Sequence, residues 1–154
     1  MLRQQFIDTI KDGVIEVCKD THLFPSVMIA QGCLESNNGA SNLSAKYNNY
    51  FGMKPGHDWK GATVALPTTE EVDGKIIHIS QSFKVYHNIS AGFKDHVEML
   101  QRVGVYKTAG VFTATTPELQ CMALHKAGYA TDSHYAPKLI AIINENDLKQ
   151  YDIS

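Results

Sequence analysis

Residues 25–39 run Pro25-Ser26-Val27-Met28-Ile29-Ala30-Gln31-Gly32-Cys33-Leu34-Glu35-Ser36-Asn37-Asn38-Gly39, and their reading decides the fold. Proline followed by serine opens a helix, because a first-turn proline needs no N–H and already has the right φ. The interior from Val27 to Leu34 is apolar almost all round, so this helix belongs in the centre of the molecule rather than on its surface. Asn38-Gly39 is a stop signal, since glycine tolerates the left-handed backbone at a helix end. Glu35 sits just before that stop. Desolvation against an apolar helix and the negative end of the helix dipole both disfavour its charged form, which suits a general acid near neutral pH. By position alone the commoner reading is a surface glutamate in a last helical turn.

Outward from this helix the pattern stays mainly helical. Phe6, Ile10, Val14 and Cys18 recur at i, i+4 with Ile7 and Val17 beside them, predicting a first helix over residues 2–21. From Lys54 to Tyr86 the character changes. Pro55, Gly56 and Gly61 make a loop, and Thr63–Leu66 reads as a short strand. Asp73-Gly74 is a two-residue hairpin turn, followed by alternating Ile77, Ile79, Phe83 and Val85. Helical spacing returns at Phe93, Val97 and Leu100. Thr116-Pro117 reads as a cap and first turn before a helix near 117–127, and a final helix carries Leu139, Ile140 and Ile143. The expectation is a single α+β domain spanning residues 1–154, a helical lobe carrying a small antiparallel β-hairpin lobe at approximately 60–87.

The composition excludes several functions. A chain of 154 residues, 44% hydrophobic, forms one domain with a buried core. Its 14 basic and 16 acidic side chains leave a formal charge of −2, too little positive charge for nucleic acid as the main partner. No apolar run approaches the ~18 residues of a membrane span, so no membrane insertion is expected. The start lacks the apolar core of a signal peptide. The 3 cysteines, Cys18, Cys33 and Cys121, sit among apolar neighbours and read as buried free thiols, in keeping with folding in a reducing compartment. The 7 histidines form no HExxH pair or Cys/His ligand spacing, so neither a metal nor another cofactor is expected.

The segment from Ala30 to Ser41, followed by Tyr47-Asn48-Asn49-Tyr50-Phe51-Gly52-Met53-Lys54, resembles the signature of glycoside hydrolase family 73, the β-N-acetylglucosaminidases that cut bacterial peptidoglycan. The resemblance continues in order through Trp59-Lys60-Gly61, Pro67-Thr68-Thr69-Glu70, Phe83-Lys84-Val85-Tyr86 and Lys126-Ala127-Gly128-Tyr129-Ala130-Thr131-Asp132, then Tyr135-Ala136. It covers about residues 25 to 145 and implies a lysozyme-like fold with Glu35 as the general acid. Asn37 and Asn38 depart from it, standing where many relatives have a Gly-Trp pair and removing an aromatic surface near the acid.

Glycosidases generally use a second carboxylate. A two-residue Asp73-Gly74 turn pairs Val72 with Lys75, Glu71 with Ile76 and Glu70 with Ile77. Glu70 then shares a face with Ile77, Ile79 and Phe83, a face expected to pack toward the helical lobe, while Glu71 lies opposite. The resemblance also favours Glu70, as the acid of its Thr-x-Glu segment. That acid activates water, or only assists attack by the substrate's own acetamido group.

A saccharide cleft combines aromatics with amides. Asn48, Asn49 and Tyr50 are candidates for such contacts. Asn49 reads either as a partner of an N-acetyl group or of Glu35, or as a turn amide bonding its own backbone, whereas Phe51 reads as core. Trp59, in a polar loop, is either a sugar platform or a plug over the β lobe. The resemblance places Tyr129 in the cleft opposite Glu35, and Asp132 reads as the cap of the last helix.

The expected function is hydrolysis of the β-1,4 bond after N-acetylglucosamine in peptidoglycan glycan strands, by a monomer acting on the bacterial cell wall. The alternatives are a muramidase or lytic transglycosylase on the same fold, and a non-catalytic wall-binding module. With no signal peptide, delivery falls to a phage, a secretion system or a larger parent protein.

Overall fold

The structure, a computed structural model, describes residues 2–153. Helix α1 (Arg3–Cys18) buries Phe6, Ile7, Ile10, Val14 and Cys18, the stripe that its spacing predicts. It ends three residues earlier than expected, because Asp20 and His22 take positive φ in the following turn. Helix α2 (Pro25–Glu35) buries every residue from Ser26 to Cys33 and packs against α1 and three later elements, so it is the central helix. Its end is sharper than Asn38-Gly39 alone implies. Asn37 and Asn38 are themselves left-handed, and the Asn38 N–H donates back to the Cys33 carbonyl at 2.9 Å. Glu35 is therefore the last helical residue.

A short helix not expected from the sequence, α3 (Asn42–Tyr47), starts at Ser41, whose hydroxyl accepts from the Ser44 N–H at 3.2 Å. Next comes the hairpin of β1 (Thr63–Val72) and β2 (Lys75–Lys84). Its register pairs Val72 with Lys75, Glu71 with Ile76 and Glu70 with Ile77, as the Asp73-Gly74 turn predicts. Both turn residues have positive φ, the requirement of that hairpin type. Strand β1 runs well past the predicted Leu66, through Pro67, which a two-stranded sheet tolerates because each strand has a free edge.

The hairpin's packing corrects an expectation. One face carries Val64, Leu66, Thr68 and Glu70 opposite Phe83, Gln81, Ile79 and Ile77. It is half-buried only as far as Thr68 and Ile79. Beyond them both faces are open, and Ile76 at the tip is 72% exposed. The strands bond to each other, with Val85 N–H to Ala62 extending the ladder. Among the described residues the backbone bonds to the body lie at the base, where Lys84 N–H donates to Met53 and Tyr86 to Tyr47.

Helix α4 (Ile89–Arg102) buries Gly92, Phe93, His96, Val97 and Leu100 and packs on α1. Its N-cap is Asn88, whose side chain accepts from the Ala91 N–H at 2.8 Å. A short α5 (Gly104–Thr108) leads to α6 (Pro117–Lys126), capped by Thr116 as predicted. Helix α7 (Tyr135–Glu145) and a 3-10 turn (Leu148–Asp152) close the chain against α2. Asp132 precedes α7 without capping it directly. Its carboxylate accepts from the His134 N–H at 2.9 Å and pairs with Lys138, so it shapes the turn that enters the helix. The three thiols are free and buried. Among the described residues no helix is long and apolar enough to cross a membrane.

Candidate active site

Glu35 projects from the last turn of α2 into solvent, yet the protein around its carboxyl holds its pKa above the ordinary glutamate value. Burial is the larger cause. It is moderated by the Tyr135 hydroxyl of α7, which donates to Oε1 at 3.1 Å. Tyr135 in turn accepts from Gln31 Nε2 at 2.9 Å, and Gln31 Oε1 lies 2.8 Å from His96 Nε2 of α4. Gln31 and Glu35 are one helical turn apart on the same face of α2, which is why one set of partners serves both. Gln31, His96 and Tyr135 are all buried.

Aromatic rings surround this line. Phe51 stacks on His96 with centroids 3.7 Å apart, and Tyr129 meets the same imidazole edge-on at 5.8 Å. Tyr129 also stacks on Tyr135 at 5.5 Å. Its phenol is held well above its usual range, first by burial and then by the charge of Glu35. The structure thus brings Glu35 and Tyr129 together. A carboxyl with a raised pKa, open to solvent on one side and braced by a phenol on the other, keeps its proton to higher pH than a free glutamate does, the direction that suits a general acid.

The other residues singled out in the sequence make no hydrogen bond to Glu35 among the described residues. Glu70 is exposed on the outer half of the hairpin, and its side chain makes no hydrogen bond or ion pair among the described residues. Asn49 is 1% exposed and holds the hairpin base: its Nδ2 donates to the Met53 and Lys84 carbonyls at 3.0 Å, and its Oδ1 accepts from the Met53 N–H at 2.9 Å. It is the turn amide of the two readings. Asn48 donates to the Tyr86 carbonyl at 3.1 Å. Tyr50 is core, stacked on Phe93 at 5.0 Å and tilted against Phe6 at 5.9 Å. Trp59 folds onto its own loop, donating to the Ala62 carbonyl at 3.0 Å, with Tyr86 against its edge and the Lys84 ammonium over its ring. That geometry matches the plug. Phe51, read as core, does pack on the core but stays half-buried.

Gln31, His96 and Tyr135 are the residues the sequence reading missed. One signal was present, because a glutamine inside an otherwise apolar helix must find a partner when buried. Nothing local named that partner. A cavity of about 910 Å³, lined by Leu23, Phe24, Phe112 and Tyr151 among others, lies at the opposite end of α2 and has no part in this arrangement.

A helical body carrying a small β-hairpin, with one carboxylic acid at the open end of its central buried helix, defines a lysozyme-like domain of the glycoside-hydrolase class. The chain belongs to the glucosaminidase family, whose model, described as mannosyl-glycoprotein endo-beta-N-acetylglucosaminidase, matches residues 11–148. It is 36% identical to the exo-glucosaminidase LytG of Bacillus subtilis over 97% of this chain and 54% of that protein. It is 34% identical to a probable N-acetylmuramidase of Lactococcus lactis over 97% of this chain and 35% of that one. Its fold matches the crystal structure of the catalytic domain of the autolysin Auto from Listeria monocytogenes with a TM-score of 0.87, at 36% identity over 97% of this chain and 87% of that one. The chain spans about half the length, or less, of the curated relatives it matches.

Proposed function

We propose that residues 1–154 form one catalytic domain that hydrolyses peptidoglycan. It cleaves the β-1,4 bond between N-acetylglucosamine and N-acetylmuramic acid, with Glu35 protonating the leaving oxygen. The observation that carries this reading is the Glu35 carboxyl, raised in pKa and hydrogen-bonded to Tyr135 at the open end of α2, in a chain of the glucosaminidase family. Tyr129 lines the same site and steadies the reacting sugar.

Glu70 is the candidate second carboxylate. Its exposed place on the hairpin supports activation of water only if the hairpin bends toward Glu35; otherwise the substrate's acetamido group is the nucleophile. The buried positions of Asn49 and Tyr50 and the folded-back Trp59 favour roles in holding the hairpin base over direct sugar contacts, and Asn48 belongs to the same junction. The domain acts as a monomer on glycan strands at the cell wall. With a formal charge of −2 it relies on sugar contacts, so binding depends weakly on salt.

Digestion of purified peptidoglycan, borohydride reduction and mass spectrometry test the bond. Reduced N-acetylglucosamine ends are expected. The Lactococcus relative's name favours the second reading, a muramidase, for which the reduced ends are N-acetylmuramic acid. Anhydro-muropeptides would instead identify a lytic transglycosylase. Glu35→Gln should lower turnover by about 10²–10⁴-fold, the usual contribution of a general acid. Undiminished turnover removes Glu35 from that role.

A further inference from the structure

The line His96–Gln31–Tyr135–Glu35 runs from the buried face of α4 through α2 and α7 to the open carboxyl. Its donors and acceptors leave little freedom. An amide nitrogen can only donate, so with Gln31 Nε2 against the Tyr135 oxygen, the phenol's single hydrogen is free for Glu35 Oε1. The amide oxygen then faces His96 Nε2, which must carry a hydrogen. Full burial keeps this imidazole neutral, so His96 is the Nε2–H tautomer, and Nδ1 is a bare nitrogen with no hydrogen-bond partner.

Reversed wiring is worse at both ends. It would bury an N–H at His96 Nδ1 with no acceptor, and it would turn the Tyr135 hydrogen toward Gln31, leaving the Glu35 carboxylate without a donor. The titratable groups facing Glu35 are Tyr135 of α7 and Tyr129 of the preceding loop. Asp95 is the acidic neighbour of His96, and it is engaged elsewhere, by Lys84 and Tyr86 at the hairpin base.

We propose that Gln31 and His96 are positioning residues for Glu35: their one-way hydrogen-bond chain commits the Tyr135 proton to Oε1, so that the acidic proton of Glu35 resides on Oε2, the oxygen left to face substrate. This rests on the reading of Glu35 as the general acid. His96 sets the direction by holding the Gln31 amide, Gln31 passes it to Tyr135, and Tyr135 delivers it to the carboxyl. The chain stabilises the carboxylate and opposes the effect of burial, keeping the acid strong enough to give up its proton.

The basic limb of the pH profile of kcat/KM reports the acid. Tyr135→Phe removes the donor to the carboxylate, so the limb should move up by about one pH unit. His96→Phe keeps the stack on Phe51 but frees the Gln31 amide to turn over. It should move the limb in the same direction, and the double variant should move it no further than Tyr135→Phe alone. A fall in kcat with unmoved limbs, or additive shifts, overturns the chain while leaving Glu35 as the acid. An active Glu35→Gln overturns both. If His96→Phe does not fold, the ¹⁵N ring shifts of His96 in the unmodified protein decide: a neutral Nε2–H imidazole supports the proposal, and an Nδ1–H tautomer overturns it.

Discussion

At the scale of single residues, the surroundings of Glu35 set its charged form against stability. Its carboxyl pKa is raised by the fold, so its contribution to stability is greatest below the ordinary carboxylate range and is lost as pH rises through its folded value. A neutral amide escapes this loss and can still accept from Tyr135. Glu35→Gln should therefore have a higher Tm than the unmodified chain at pH 7, and the two melting curves should converge below about pH 4. A Tm deficit that persists at pH 7 would mean the carboxylate is a net stabiliser. The place of Glu35 was legible from an apolar helix before it and an Asn-Asn-Gly stop after it, while its candidacy as an acid needed the family signature as well. The roles of Asn49 and Tyr50 were not legible, because an amide next to a phenol suits a sugar and a loop anchor alike. The choice was made by chain segments far from both, with Lys84 receiving the Asn49 amide and Phe93 the Tyr50 ring.

At the scale of elements, the hairpin is the least supported part of the body. Its register was readable because Asp73-Gly74 fixes the turn, and a two-residue turn fixes every later pair. How far it packs was not readable, since alternation shows that a strand has two faces and not whether anything covers them. The base is held by the Asn49 amide and the Lys84–Asp95 pair at 2.8 Å, while the tip carries exposed Val72, Ile76 and Ile77. Backbone hydrogen exchange should divide along this line. Amides from Thr68 to Ile79 should exchange far faster than those of α2, with opening free energies well below the global value. Equal protection of both would mean the hairpin unfolds only with the whole molecule.

At the scale of the whole molecule, α2 is the axis on which the site depends. Its first turn is held by the chain's last: Asp152 Oδ1 accepts from the Ser26 N–H at 2.7 Å and Oδ2 from the Ser26 hydroxyl at 2.6 Å, doing for this helix what an N-cap does. Asp152→Ala should cost about 1 kcal/mol, a fall in Tm of about 2–4 °C at this size. An unchanged Tm would show that the helix start is held by packing alone. From that anchored end α2 runs its 11 residues, about 16 Å, through the core to Glu35.

The sequence by itself determined a buried central helix ending in a carboxylate, a hairpin of known register, the Thr116 cap of α6, and the signature of the family. Each of these is set by neighbours within a few residues: apolar spacing, a turn dipeptide, a proline after a threonine. Only the tertiary structure decided what surrounds the acid. The hydrogen bonds from Gln31 to His96, Gln31 to Tyr135 and Tyr135 to Glu35 join residues 65, 104 and 100 positions apart. No local pattern encodes such distances. A buried amide, imidazole and phenol announce only that each needs a partner, and packing three helices together determines which partner each one finds.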